Sequence, residues 1–249
     1  MRTHPVHIIG GGPGDPELLT LKAHRILETE TEVAVYDRLI SPEILALLPE
    51  SAEKIYAGKS AGYHEMSQDE INAVLLKHAK AGKKVTRLKG GDPFIFGRGG
   101  EEIEFLFDHG VPFEIVPGIT SAGGISAALG IPLTHRELAT NVRFISGHKK
   151  KNQPLNLPWK ELASPETTLV IYMGLTTLPE ISAGLIAAGL SEHTAAAAIQ
   201  DGTTAKQRHC FAALKDMPEK VKAMDFQPPV LLIIGNVVNI AQKLNHKNS

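Results

Sequence analysis

The stretch from Arg87 to Glu102 constrains this chain more than any other. It leaves an apolar strand, crosses a loop with five glycines between Gly90 and Gly100 and two aromatics, and enters a helix behind Arg98, Glu101 and Glu102. Glycine costs conformational entropy on folding, and an ordinary connection needs only about 4–6 residues. A loop this long and this rich in glycine belongs where backbone must come close to a ligand.

Strand-like and helix-like segments alternate around it. Val6–Ile9 is a short strand followed by Gly10-Gly11-Gly12-Pro13-Gly14, and helical spacing over Leu18–Leu27 carries Leu18, Leu21, Ala23 and Ile26. Val33–Tyr36 is a second strand ending on Asp37. Ser67 and Glu70 form a capping box for a helix to Ala81, which puts Ile71, Val74, Leu75 and His78 on one face and stops at Gly82. Strand Lys84–Leu88, helix Glu101–His109, strand Phe113–Val116 and helix Ser121–Leu129 continue the series. This alternation predicts a mostly parallel sheet with helices on both faces. Around Thr134–Asn141 the pattern resets. Val142–Ser146, Leu169–Tyr172, Ala195–Ile199, Arg208–Ala212 and Val230–Ile234 then read as strands, and Leu178–Ala188 and Val237–Leu244 as helices. The expected fold class is α/β, with two α/β domains, 1–138 and 139–249, and a ligand cleft between them.

Composition removes several functions. With 26 basic and 27 acidic side chains the net charge is −1, so no global field draws in nucleic acid or an anionic membrane. A polyanionic ligand must be met by local arginines. The single cysteine, Cys210, excludes an intrachain disulfide framework and a cysteine-based zinc site. The 11 histidines show neither H-x-x-x-H nor H-E-x-x-H spacing, so no metal is expected. No apolar run approaches the ~20 residues of a membrane span, and Met1–Pro5 leads into a strand without an apolar signal region. The expectation is a soluble cytoplasmic protein.

The first strand, glycine loop and helix invite a dinucleotide reading, with Asp37 as the ribose-binding acid. The spacing fails. After Gly10 and Gly12, the third glycine of G-x-G-x-x-G falls at a position occupied by Asp15. A carboxylate ~5 Å from a phosphate costs roughly 3 kcal/mol per charge pair at an effective dielectric of 20, and Pro13 removes one N–H donor. The loop fits either a ligand without phosphate or a tight turn with Asp15 near the helix start.

Gly10-Gly11-Gly12-Pro13-Gly14-Asp15-Pro16, Tyr36-Asp37-Arg38-Leu39, the loop at 90–100, Val116-Pro117-Gly118-Ile119-Thr120-Ser121, Pro132-Leu133-Thr134-His135-Arg136, Tyr172-Met173-Gly174 and Gly202-Thr203-Thr204-Ala205-Lys206-Gln207-Arg208 occur in one order. In register they resemble the tetrapyrrole methylases, from about Val6 to the end of the chain, and among these the enzymes that act on uroporphyrinogen III. The resemblance implies a two-domain, homodimeric methyltransferase using S-adenosylmethionine and releasing S-adenosylhomocysteine. Methyl groups would go in turn to C2 and C7 of uroporphyrinogen III, giving precorrin-1 and then precorrin-2 for sirohaem, cobalamin or haem d1 synthesis. Some relatives add an N-terminal domain for oxidation and iron insertion; this chain begins at the first methylase strand, so methyl transfer alone is expected.

Carried over by position, the family's methyl-donor contacts fall on Pro13, Gly90, Gly91, Asp92, Ile95, Thr120, Ser121, Met173 and Gly202. Proton transfer falls on Asp37 and Lys59. Arg98 and Arg136 suit the bidentate grip that the substrate's carboxylates call for, with Glu101 and Met173 beside them. Transfer from a sulfonium to carbon is an in-line displacement, so the protein's part is alignment and exclusion of water.

Each role has a plain alternative. Asp37 is either the proton acceptor or a turn residue before Arg38, and Lys59 is either chemical or solvated. Asp92 either pairs with the donor's ammonium or caps the turn with Pro93. Glu101 either orients Arg98, accepts a pyrrole N–H, or forms a surface pair worth at most about 1 kcal/mol. Met173 either lines the cleft or fills core, and His148-Lys149-Lys150-Lys151 either gathers propionates or is a solvated loop. Three rival functions are a later corrin-pathway methylase, a non-catalytic tetrapyrrole carrier, and an NAD-dependent reductase that Asp15 disfavours.

Overall fold

The computed structural model describes residues 4–58, 66–149 and 153–245. Packing divides the chain into two compact units, Met1–Ser121 and Ala122–Ser249.

The first unit holds β1 (Val6–Gly10), α1 (Leu21–Thr29), β2 (Val33–Tyr36), α2 (Pro42–Leu45), β3 (Glu53–Tyr56), α3 (Gln68–Lys80), β4 (Val85–Lys89), α4 (Gly99–Asp108) and β5 (Phe113–Val116). Its sheet runs β3-β2-β4-β1-β5 with every pairing parallel. Alternate residues serve the two faces. Ile8, Val33, Val35 and Val85 pack with Ile71 and Leu75 of α3 and Leu106 of α4. Ile9, Ala34, Leu88 and Val116 pack with Ala23, Ile26 and Leu27 of α1 and Ile44 of α2. The parallel sheet covered on both faces is the one the alternation predicts.

Strand order fixes where a ligand belongs. The connection leaving β2 runs outward to β3, whereas the one leaving β4 runs the other way to β5. The connections leaving these paired neighbouring strands therefore diverge at their carboxyl ends, the crevice where open α/β sheets place ligands. Asp37 follows β2, and Gly90 follows β4.

Two local features differ from the sequence expectation. The apolar spacing from Leu18 is split: Pro16–Leu18 forms a 3-10 turn capped by Asp15, and α1 starts only at Leu21, where Thr20 Oγ1 accepts from Ala23 N–H. The four-residue elements α2 and β3 are too short to leave a periodic signal.

The second unit contains nearly all of α5 (Ser121–Leu129), then β6 (Asn141–Ser146), α6 (Trp159–Leu162), β7 (Thr167–Tyr172), α7 (Leu178–Ala187), β8 (Ala195–Gln200), β9 (Arg208–Ala213), α8 (Met217–Ala223), β10 (Val230–Ile234) and α9 (Val238–Asn245). Its sheet runs β6-β7-β10-β8-β9. Only β6–β7 is parallel; the other three pairings are antiparallel. Leu169, Ile171, Leu232 and Ile234 pack with α7 and α8 on one face. Val170, Ile199, Leu231 and Ile233 pack with Ile125 and Leu129 of α5 and Val238 and Ala241 of α9 on the other. The alanines of β8 lie buried within these layers.

The break in packing after Ser121 falls earlier than the joint expected near Leu138. The pattern reset marks a change of element rhythm, but Ala122, Ile125, Leu129 and Ile131 already bury their side chains with the second sheet. Among the described residues, no helix is long and apolar enough to cross a membrane.

Candidate active site

At the carboxyl edge of the first sheet, three loops meet through bare backbone. Gly11 N–H donates to Lys89 O (2.7 Å), Gly12 N–H to Gly91 O (3.2 Å) and Gly91 N–H to Gly12 O (2.7 Å). A Cβ on Gly118 would stand 2.3 Å from Gly91 O, and one on Gly10 would stand 2.5 Å from Gly118 N. No side chain fits between these backbones. Asp92 fastens two of them: Oδ1 accepts from Phe94 N–H (2.9 Å) and Oδ2 from Gly118 N–H (3.1 Å). Its carboxylate therefore builds the turn, one of the two roles the sequence leaves open, and keeps further lone pairs for a ligand.

The loops bring Pro13, Gly90, Gly91, Asp92, Thr120 and Ser121 to this edge. A Cβ on Gly91 would lie 3.5 Å from Ser121 Oγ, and one on Gly90 would lie 2.7 Å from Leu39 Cβ. Pro13 and Ile95 are half-buried. The edge is thus rich in peptide groups with the short side chains of Thr120 and Ser121 beside them, donors and acceptors of the kind the adenosine and amino-acid ends of a methyl donor call for.

Below the β2–β4 crevice lies a buried charge network that the sequence reading did not assign. Arg87 and Lys89 occupy alternate positions of β4 and point to the α3–α4 face, where Glu102 of α4 is fully buried. Glu102 Oε1 accepts from Arg87 Nε (3.0 Å), Lys89 Nζ (2.9 Å) and Gln68 Nε2 (3.2 Å). Arg87 also donates through Nη1 to Val35 O and Leu88 O, and its Nη2 faces Asp37 Oδ2 at 3.4 Å. Burial holds the Lys89 ammonium below its ordinary pKa, with the like charge of Arg87 acting in the same direction and Glu102 opposing both. Breaking such a buried set by removing one partner costs about 3–5 kcal/mol. Two charged residues at alternate positions of an otherwise apolar strand were the available sequence signal.

Asp37 sits at the turn after β2, where Oδ1 also accepts from Leu39 N–H at 3.0 Å. Lys59 lies outside the described residues, as do Lys150 and Lys151. Lys149 is bound to Glu180 at 2.8 Å.

Arg98 and Glu101 form an exposed two-pronged pair, Nε to Oε1 at 2.8 Å and Nη2 to Oε2 at 2.6 Å. That mutual hydrogen bond raises the Arg98 pKa and lowers that of Glu101. Glu101 therefore orients the guanidinium, at the entry to α4. Phe96 and Arg98 both have positive φ, 54° and 60°. Such backbone costs about 1–3 kcal/mol and clusters at ligand clamps.

In the second unit, Arg136 is exposed in a turn closed by the His135–Ala139 bridge. Met173 follows β7 with φ 54° and is 50% exposed, so it does not fill core. Gly202 is buried after β8, where a Cβ would collide with Ile125 Cγ1 at 2.3 Å. Among the described residues, no group of three or more His, Cys, Asp or Glu side chains is placed to hold a metal ion.

A doubly covered parallel sheet with three glycine loops at its carboxyl edge, followed by a mixed second sheet, defines a class. The chain belongs to the tetrapyrrole (corrin/porphyrin) methylases, whose family model matches residues 5–218. Among solved structures it is similar to uroporphyrin-III C-methyl transferase from Thermus thermophilus complexed with S-adenyl homocysteine. That protein is 41% identical with a TM-score of 0.80, and the match covers 95% of this chain and 94% of the other. A cobalt precorrin-4 methyltransferase is 27% identical, with a TM-score of 0.83 over 94% and 95% of the two chains. The siroheme synthase of Nitrosospira multiformis is 53% identical over 239 residues, which cover 96% of this chain and 50% of that protein. The chain thus spans about half the length of the curated relatives it matches.

Proposed function

We propose that this chain transfers methyl groups from S-adenosylmethionine to C2 and then C7 of uroporphyrinogen III, giving precorrin-2 by way of precorrin-1. The observation that carries the reading is the 41% identity, over nearly the full length of both chains, to a uroporphyrin-III C-methyl transferase that holds S-adenyl homocysteine. The close backbone packing at Gly10 and Gly118 supports it, because a Cβ at either position would collide with the neighbouring loop, so the three loops meet at one edge of the sheet. The donor, when bound, supplies an electrophilic methyl group on sulfur. Pro13, Gly90, Gly91, Asp92, Ile95, Thr120 and Ser121 hold it in the first unit, and the family assigns Met173 and Gly202 of the second to the same donor. Arg98, held by Glu101, and Arg136 pair with substrate carboxylates. Asp37 accepts the proton that leaves the macrocycle after methylation, and Lys59 takes the second proton-transfer role. A homodimer in the cytoplasm, without nucleic-acid or membrane partners, completes the reading.

Incubation with uroporphyrinogen III and S-adenosylmethionine tests it. The expected product carries two new methyl groups, and a preparation that binds the donor yet leaves uroporphyrinogen III unmethylated sinks the assignment. The later corrin-pathway alternative shares the fold, but the cobalt precorrin-4 methyltransferase is less similar in sequence, 27% against 41%.

A further inference from the structure

We propose that Arg87 and Glu102 are positioning residues for Asp37: Glu102 anchors the Arg87 guanidinium, and Arg87 fixes the carboxylate that accepts the proton. The inference rests on the assignment of Asp37 made above.

Asp37 stands at the rim, with its side chain 27% exposed, on a turn that by itself would leave the carboxylate free to rotate. Two contacts from different directions remove that freedom. Leu39 N–H holds Oδ1 at 3.0 Å, and Arg87 Nη2 faces Oδ2 at 3.4 Å. Arg87 cannot follow a moving partner, because Val35 O and Leu88 O take Nη1 and Glu102 takes Nε. Glu102 is held in its turn through a single oxygen, which receives Arg87, Lys89 and Gln68. Its other oxygen, Oε2, is buried without a hydrogen-bond partner among the described residues. The chain of contacts therefore runs from α3 and α4, through β4, to one carboxylate at the switch point. Only when Asp37 is counted do two carboxylates balance the two cations. A buried ionic cluster adds little to stability compared with apolar packing of the same volume. Fixing a reacting group to a fraction of an ångström is what such rigid support provides.

The test compares wild type, Glu102→Gln, Asp37→Asn and the double variant. Initial rates on uroporphyrinogen III, calorimetry with S-adenosylhomocysteine and thermal melting are measured for each. Glu102→Gln is expected to lower kcat about ten-fold or more, while KM for uroporphyrinogen III and donor affinity change by less than about three-fold. Added to Asp37→Asn it should bring no further loss, since both substitutions disable one unit. Losses that multiply, or a folded Glu102→Gln enzyme with unchanged kcat, overturn the proposal. If Glu102→Gln does not fold, Lys89→Met combined with Glu102→Gln removes one buried charge of each sign and enters the same comparison. Failure of the underlying function looks different: wild type itself then yields no methylated product. An Asp37→Asn enzyme at full rate removes the acceptor and its positioning residues together.

Discussion

Asp37 and Arg98 illustrate how far a single side chain depends on its neighbours. Asp37 is tied to backbone by one oxygen and faces a guanidinium with the other. Asp37→Ala should therefore slow turnover while the protein stays folded, since the residue contributes nothing to the apolar core; steady-state rates beside circular dichroism check this. Arg98 is exposed and already paired with Glu101. Because an exposed pair contributes about 1 kcal/mol at most to stability, Arg98→Ala should leave the melting temperature nearly unchanged. It should raise KM for the tetrapyrrole and leave donor affinity intact, and an unmoved KM would return Arg98 to the solvated surface. The glycine-rich loop was legible in the sequence from its composition, and within it the resemblance singled out Asp92 and Arg98. Glu102 was not: its role depends on α4 folding back so that it meets Arg87 and Lys89 thirteen or more residues earlier in the chain.

Elements with a clear apolar pattern were readable, and α2 and β3, which have none, were not. Helix α3 combines apolar periodicity with a capping box in which Ser67 N–H donates to Glu70 Oε2 at 2.7 Å and Ser67 Oγ accepts from Glu70 N–H at 3.3 Å. Ser67→Ala should cost about 1 kcal/mol in urea denaturation without altering methylation, because the cap lies on the exposed entry to the helix. Strand β1 carries a different device. His7 is 6% exposed, and burial lowers its pKa from the ordinary 6.5 against the weaker opposing effect of Glu114. As pH falls through 6.5, the unfolded chain takes up a proton that the folded ring resists, so stability should decline from there toward the lower pH at which folded His7 protonates. Carboxylates whose pKa is lowered, such as Glu32 and Glu114, lose their contribution only below about 4.5. The His7 window thus opens at a higher pH than the carboxylate one. His7→Gln should flatten the upper one in urea titrations at a series of pH values, and a wild-type stability that is level between neutrality and pH 5 would contradict the assignment.

On the scale of the whole molecule, two sheets of different construction share one chain. The first is parallel throughout and gathers its glycine loops at one edge; the second is mainly antiparallel. Donor binding to the folded chain alone should stabilise it by mass action, about 2.7 kcal/mol at 100 times Kd. S-adenosylhomocysteine should therefore raise the melting temperature, whereas NAD should not, since Asp15 caps a turn where a phosphate would need to lie. A shift with NAD alone would reverse the choice between them. The sequence by itself determined the strand–loop–helix order of the first unit and its glycine-rich loops, because each depends on residues close together in the chain. Packing decided that α5 belongs with the second sheet, and that a buried arginine, lysine and glutamate stand behind Asp37. Such contacts join side chains far apart in sequence, and only burial makes their pairing obligatory.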